Sequence, residues 1–433
     1  MKKLLAVLLA LAMVLSLAAC GTKKEEPAPV AEPTSITLWT YPIGNWGDEA
    51  SVKALTDAFT AETGVVVNVE YLSYTDGDDK VNTALTANQA PDLIMEGPER
   101  LVANWGAAGY MVDLSDLVDA EDRAQLNPAA FAACETADGK VYEYPLVMTA
   151  HCMGINYDAF VEAGADQYVD IENHTWTTEG FFKAVEALNA KFGDNVAAVY
   201  CGGQGGDQGT RAIVNNLYGG TFTSADHTSY TWDSAENVKA ISELYNTKGI
   251  TFDPAIVGGD EINLFRQGVL KMAFCWNIAQ QLNTDNNDAG LTNDGQRIEF
   301  MSFPSETGAS QLCGGIWGFG IFNNGDEAKI AAAKQFITYM CDSAHTAEAV
   351  KTANYFAVRS TAGGTDISNV WADNEIMNEY NVLMQYLGDY YQVTKGWAAA
   401  RTAWWNMLQA VGAGTDVQTA VSQFAAEANA AAK

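Results

Sequence analysis

The side chains able to do chemistry here are abundant in one class and sparse in the others. In 433 residues, 54 Asp or Glu, 11 Trp, 18 Tyr and 17 Phe stand against seven Cys and four His. His151, His174, His227 and His345 are scattered without metal-ligand spacing, so no metal site is expected from them. The glycine-rich run GGQGGDQGT, residues 202–210, lacks the Lys-Ser/Thr of a phosphate loop and reads as a turn. TDNNDAGLTNDG, residues 284–295, carries oxygen donors, but Ala289 breaks the EF-hand register. No nucleophile elbow or zinc motif is visible, although 54 acidic residues leave room for a hydrolytic carboxylate pair. What remains is non-covalent chemistry: flat rings that stack on apolar faces, and carboxylates, amides and Arg that make directional hydrogen bonds.

The elements that would hold such groups can be read along the chain. ITLWTYP from Ile36 is a strand run, GDEASVKALTDAFTAETG a helix with Val52, Leu55, Ala58 and Phe59 at helical spacing, and Gly64 stands at its C-cap position. VVVNVEYL reads as a strand, KVNTALTAN as a helix and PDLIME as a strand. This repeated β-α-β order predicts a parallel sheet flanked by helices, an α/β fold. Further on, KVYEYPLVMTAHCMGINYDAF holds two strands, TWTTEGFFKAVEALNAKFG a capped helix and NVAAVYCGG a strand. Residues 328–341 and 396–433 are helical. Asn45, Glu70, Asp92, Glu96, Glu99 and Arg100 lie at or just past the ends of the early strands. Trp39, Trp46, Trp105, Trp276, Trp317, Trp397 and the pair Trp404-Trp405 fall in predicted loops or at element ends.

Composition narrows the partners. A formal charge of −30 with no Lys/Arg run disfavours nucleic acid and anionic lipid headgroups. Lys2-Lys3, an apolar run to Leu17 and the sequence LAAC ending at Cys20 predict a signal peptide over 1–19. LAAC resembles the bacterial lipobox, which implies a diacylglyceryl group on Cys20, and residues 20–35 read as a Pro/Glu/Ala-rich flexible tether. The localisation expected is the outer face of the cytoplasmic membrane, most simply in a Gram-positive organism. The other six cysteines, 134, 152, 201, 275, 313 and 341, show no regular framework, which leaves open both buried thiols and disulfides.

Seven motifs, in order, resemble the family 1 extracellular solute-binding proteins of ABC importers, the maltose-binding type included. They are ITLWTYP with the Phe59–Gly64 helix end, LTANQAPDLIME, AAGYMVDLSDLV, KVYEYPLVMTAHCMGINYDAF, FRQGVLKMAFCWN, GGIWGFGIFNNGDEAKIAAAKQFITYM and ANYFAVRS. Ile155-Asn156-Tyr157-Asp158 departs in part from the family's Tyr-Asn-Lys-Asp. The resemblance implies two lobes, 36–148 plus 303–340 and 149–302 plus 341–433. A ligand cleft would lie between them, with strands crossing near 145–152, 299–304 and 338–343.

For a saccharide ligand, stacking is expected from Trp46, Trp276, Trp317 and Trp397 and hydrogen bonding from Asn45, Glu70, Glu96, Glu99 and Arg100, all at or near predicted element ends. Glu99-Arg100 carries over best, because similar members have an acidic residue followed by Arg there. Arg359 resembles a position near the cleft, Asp92 is more often structural, and Thr149 replaces a carboxylate that some relatives use. The expected role is a monomeric receptor that delivers a sugar to an ABC permease, with no cofactor, metal or catalysis. The alternatives are a receptor for a glycerol phosphate ester and a secreted glycoside hydrolase.

Overall fold

A computed structural model describes residues 34–433 except Thr75, Asp194 and 203–207. The signal segment, Cys20 and most of the tether lie outside the described residues, as does the middle of the glycine-rich run. Apart from two small two-stranded hairpins, the strands are β1 (Ser35–Thr40), β2 (Val66–Tyr71), β3 (Leu93–Glu96), β4 (Tyr144–Ala150), β5 (Cys152–Asn156), β6 (Ala197–Tyr200), β7 (Ile250–Asp253), β8 (Met272–Trp276), β9 (Ile298–Met301), β10 (Gly314–Ile321) and β11 (Phe356–Ala357). Six of them form one sheet in the order β11-β4-β10-β3-β1-β2, and β8-β5-β9 form another.

In the first sheet β1 lies parallel to β2 and β3, so Thr40, Tyr71 and Met95 end side by side. Alternation builds this sheet: Ile36, Leu38 and Thr40 of β1 face inward while their neighbours are less buried. The helix Glu49–Thr63 covers it, capped by Asp48, which accepts from Ser51 N at 2.8 Å, and ended by Gly64 in the left-handed conformation at φ 76°. Its buried Val52, Leu55 and Phe59 contribute roughly 1.5–3 kcal/mol each. Phe59 meets Phe336 and Tyr339 edge to face at 5.1 and 5.2 Å.

Besides the β8-β5-β9 sheet, β6 and β7 form a parallel pair. The helices Trp397–Gly412 and Val417–Ala431 pack on β7 and on the helix Ala235–Asn246.

A single residue, His151, separates β4 of one sheet from β5 of the other. The second crossing runs between β9 and β10. The third lies later than the expected 338–343: the helix Glu327–Cys341 and the helix Thr346–Ala353 both pack on the first sheet, and β11 then pairs with β4. The short turn 342–345 sends the chain back onto the sheet it had just covered, which residue pattern alone does not show. The chain crosses at 380–393 instead. There Tyr380 Oη donates to Ala150 O at 2.8 Å, Leu312 N to Tyr386 O at 2.8 Å and Gly388 N to Leu312 O at 3.0 Å. His151 N donates to Cys313 O at 2.8 Å, so the three crossings are bonded to one another. Cys134, Cys152, Cys201 and Cys341 are buried, and burial raises each thiol pKa.

Candidate ligand-binding site

The carboxyl ends of neighbouring parallel strands are where an open α/β sheet leaves a crevice. Here those ends deliver Tyr41 just past β1, Tyr74 past β2 and Glu96 at the end of β3. A single helical turn, Pro98–Arg100, then presents Glu99 and Arg100, and the chain continues as a π-helical turn over Leu101–Gly106. Gly97 is required at the bend: a Cβ there would lie 2.8 Å from both Glu99 Oε2 and Ile316 O.

Arg100 organises the site. Its Nε bonds Asp78 Oδ1 at 2.6 Å, and its Nη1 bonds Glu96 Oε1 at 2.6 Å and Glu99 Oε1 at 3.3 Å. Tyr41 and Tyr74 stack at 5.1 Å, with the guanidinium 5.2 and 5.7 Å from their ring centres. Tyr41 Oη also donates to Asp78. From the third crossing, Tyr390 Oη donates to Glu99 Oε2 at 2.6 Å. Trp317 of β10 stacks on Tyr355 at 4.8 Å. Its indole folds back over Gly315, where any Cβ would meet it at 2.0 Å.

Burial pushes the Glu96 carboxyl well up, Arg100 pulls it down, and Glu99 and Asp78 push it up again, for a net rise. Burial works against the Arg100 charge, but Glu96, Asp78 and Glu99 outweigh it and hold the guanidinium protonated. Glu143 is fully buried nearby; burial raises its pKa, and the Glu99 and Glu96 charges add to the rise. Glu96 Oε2 and both Glu143 carboxyl oxygens have no hydrogen-bond partner among the described residues. Tyr74 is half open to solvent yet walled by the cluster, and burial with the Glu96 and Glu99 charges raises its pKa. The arrangement offers stacked rings, carboxylate acceptors and one fixed cation.

Residues 54–379 match the family described as bacterial extracellular solute-binding protein. The chain belongs to that family. Solved structures agree on the two-lobed fold. A cyclic α-maltosyl-1,6-maltose binding protein from Arthrobacter globiformis is 18% identical over 93% of this chain and 99% of its own, with a TM-score of 0.72. The GacH receptor of Streptomyces glaucescens, solved unliganded and with acarbose, is 18% identical over 92% and 97%, with a TM-score of 0.67. An ABC substrate-binding protein from Listeria monocytogenes, solved with cycloalternan, is 19% identical over 92% and 98%, with a TM-score of 0.67. Among curated proteins, none matches by sequence.

Within this solute-binding protein, the structure brings Glu96, Glu99 and Arg100 together and disperses other expected residues. Trp46 is wholly buried, its Nε1 donating to Ala349 O at 3.1 Å and its ring edge-on to Phe319. Trp276 is 1% exposed, donates to Gln281 Oε1 at 2.9 Å and packs on Phe265. Both rings are covered by protein, so neither presents a face to a ligand here. Asn45 is exposed in the turn Gly44–Gly47. Glu70 is exposed on β2 and pairs with Lys80, whose ammonium sits 5.0 Å from the Trp39 ring. Arg359 is buried, bound to Asp122 at 2.6 Å and to Asp342. It ties the segment after β11 to its neighbours away from the cluster. Trp397 is half-buried at the start of the helix Trp397–Gly412, beside Phe222 and Tyr391, with the Arg211 guanidinium 4.9 Å from its ring. Asp92 binds Thr37, Asn324 and Lys329, a structural clamp.

Tyr41, Tyr74, Asp78, Tyr355, Tyr390 and Glu143 join the site without having been expected from the sequence. Tyr41 and Tyr74 do carry a signal, since each stands one to three residues beyond the last residue of a parallel strand. Tyr390 carries none, because it reaches Glu99 across 291 positions.

Proposed function

We propose that this family member captures a neutral saccharide between its lobes and hands it to the permease of an ABC importer. The observation carrying this reading is the Tyr41–Tyr74 stack against the Arg100 cluster at the strand ends, facing the crossing segment through Tyr390. Rings match the CH faces of a sugar and the carboxylates accept from its hydroxyls. Trp317 and Trp397 are the further platforms. The ligands named for the three similar structures, acarbose, cycloalternan and a cyclic maltosyl-maltose, support an oligosaccharide.

A phosphate ester fits less well, since Arg100 is already committed to three carboxylates. The family binds solutes rather than turning them over, and we extend that to this chain. One lobe comprises β1–β4, β10 and β11 with their helices, and the other β5–β9 with the C-terminal helices. Cys20 would carry the lipid anchor at the outer membrane face, raising the concentration of receptor at its permease. Among the described residues, no helix is long and apolar enough to cross a membrane.

The test is a thermal-shift and calorimetric screen of residues 36–433 against mono- and oligosaccharides and glycerol phosphate esters, with each glycan recovered and analysed afterwards. A raised melting temperature with one glycan recovered unchanged is expected. A response only to a phosphate ester, or a cleaved glycan, overturns the reading.

A further inference from the structure

The loop 219–231, between the helices Gln208–Tyr218 and Ala235–Asn246, contains a turn stitched by its own side chains. Ser224 N donates to Ser229 O and His227 N to Ser224 O, both at 2.9 Å. Ser224 Oγ and Thr228 Oγ1 donate to Asp226 Oδ1 at 2.7 and 2.8 Å. His227 is thereby held in the left-handed region at φ 53°, uncommon in a residue with a Cβ. Its Nε2 lies 2.8 and 2.9 Å from the two carboxylate oxygens of Asp389, 162 positions along the chain.

Asp389 stands on the third crossing, between two anchors. Gly388 N donates to Leu312 O of the second crossing at 3.0 Å, and Tyr390 Oη donates to Glu99 Oε2 of the strand-end cluster at 2.6 Å. The loop also touches this crossing where Phe222 stacks on Tyr391 at 5.0 Å and where Tyr230 Oη donates to Lys395 O at 3.0 Å. Burial raises the pKa of both tyrosines, so neither of those contacts changes charge near neutrality. The imidazole does, because its charge ordinarily changes between about pH 5 and 8. The hydrogen bond to Asp389 raises the His227 pKa, partial burial lowers it, and the Asp389 and Asp226 charges add to a net rise. Those two carboxylates, one from the crossing and one from its own turn, are the charged groups acting on the ring. The charge-assisted bond is fully present below the usual histidine range and is lost as pH rises through the raised value.

We propose that His227 and Asp389 form a proton-operated clamp on the third crossing, closed in mild acid and loosened near neutrality and above, which holds Tyr390 against Glu99. The clamp acts whichever solute the cleft takes. Capture and release at the strand ends are then linked to one proton through two adjacent residues, Asp389 and Tyr390.

Ring NMR of the histidines and hydrogen exchange of backbone amides in the full chain test this, both from about pH 5.5 to 8.5 and the exchange corrected for intrinsic rates. The variants are His227→Gln, Asp389→Asn and Tyr390→Phe, with melting temperatures to verify folding. The resonance missing from His227→Gln is expected to titrate above the usual histidine range and to return to it in Asp389→Asn. Exchange protection over 386–395 is expected to fall roughly two- to fivefold across that titration, as for a partly exposed ion pair, and this step should vanish in both variants. A smaller step is expected over 97–101, absent from His227→Gln and from Tyr390→Phe. Glu96 has a raised pKa beside that segment, so only the part lost with His227→Gln counts. An unchanged His227 titration in Asp389→Asn, or the same protection profile over 386–395 in His227→Gln, overturns the clamp. A step over 386–395 with none over 97–101 overturns its reach to the site.

Discussion

Each of the two lobes proposed above sets an arginine among aromatic rings, and the company the two keep differs. Arg100 touches two tyrosine rings but spends its donors on Asp78, Glu96 and Glu99. Arg211 is fully buried, 5.5, 5.7 and 4.9 Å from Phe222, Tyr391 and Trp397, and its Nε donates to Tyr391 Oη at 3.1 Å. Charge-assisted bonds fix direction, whereas ring contacts fix a surface. The first lobe thus offers oriented acceptors and the second a platform, which are the two halves of what a sugar ring presents. The Arg100 cluster carries its own stacked rings, Tyr41 and Tyr74, whereas the Arg211 cluster brings no carboxylate to its guanidinium among the described contacts.

The largest effect is expected where carboxylates would be left without their cation. Arg100→Ala should cost about 2–5 kcal/mol of ligand affinity by calorimetry, because three acidic groups then crowd one site. Unchanged affinity would place the ligand elsewhere. Trp397→Ala should lose about 1–3 kcal/mol of affinity if its ring is the second lobe's platform. A drop in melting temperature with affinity intact would assign the ring to the core and break the contrast between lobes. Arg211→Lys keeps the charge and loses the planar stack, so chemical denaturation should show a stability loss of about 0.5–2 kcal/mol.

The smallest effect concerns protons. Glu96 and Glu143 of the first lobe and Glu261 of the second, which is pushed up to about 8 by burial despite bonds from Phe274 N and Cys275 N, all have raised pKa values. The folded state then holds protons that the unfolded chain releases above the ordinary carboxyl range. Their stabilisation is complete below that range and is lost as pH rises through each raised pKa, about 8 for Glu261. Melting temperature should therefore fall from mildly acidic to mildly alkaline pH. Glu143→Gln should flatten that fall by one group's share, and an unchanged slope would show that Glu143 is not among the protonated carboxyls.

Much of the fold can be read from residue order because its signals are local. The strands at Ile36, Val66 and Leu93 and the helix closed by Gly64 each rest on spacing within a few residues, whereas the crossing at His151 is legible only through the family resemblance. The cluster of Glu96, Glu99 and Arg100 is legible for the same reason, falling at one strand end. Trp46 and Trp276 mislead because a strand end serves core and cleft alike. Ala349 and Phe265 decide which, and they come from elsewhere in the chain. Glu143 escapes a sequence reading since nothing local distinguishes a buried carboxyl from an exposed one.

The place of β10 also bears on how the protein is made. It lies between β3 and β4, yet 163 residues separate the end of β4 from its start, residues 151–313. Until residue 321 is available, both neighbouring strands present unpaired edges that any other extended chain could claim. Assembly of the first lobe must wait for the whole intervening segment, which predicts slow, late-closing folding dominated by distant pairings. The nascent chain is at its most vulnerable to aggregation during that interval.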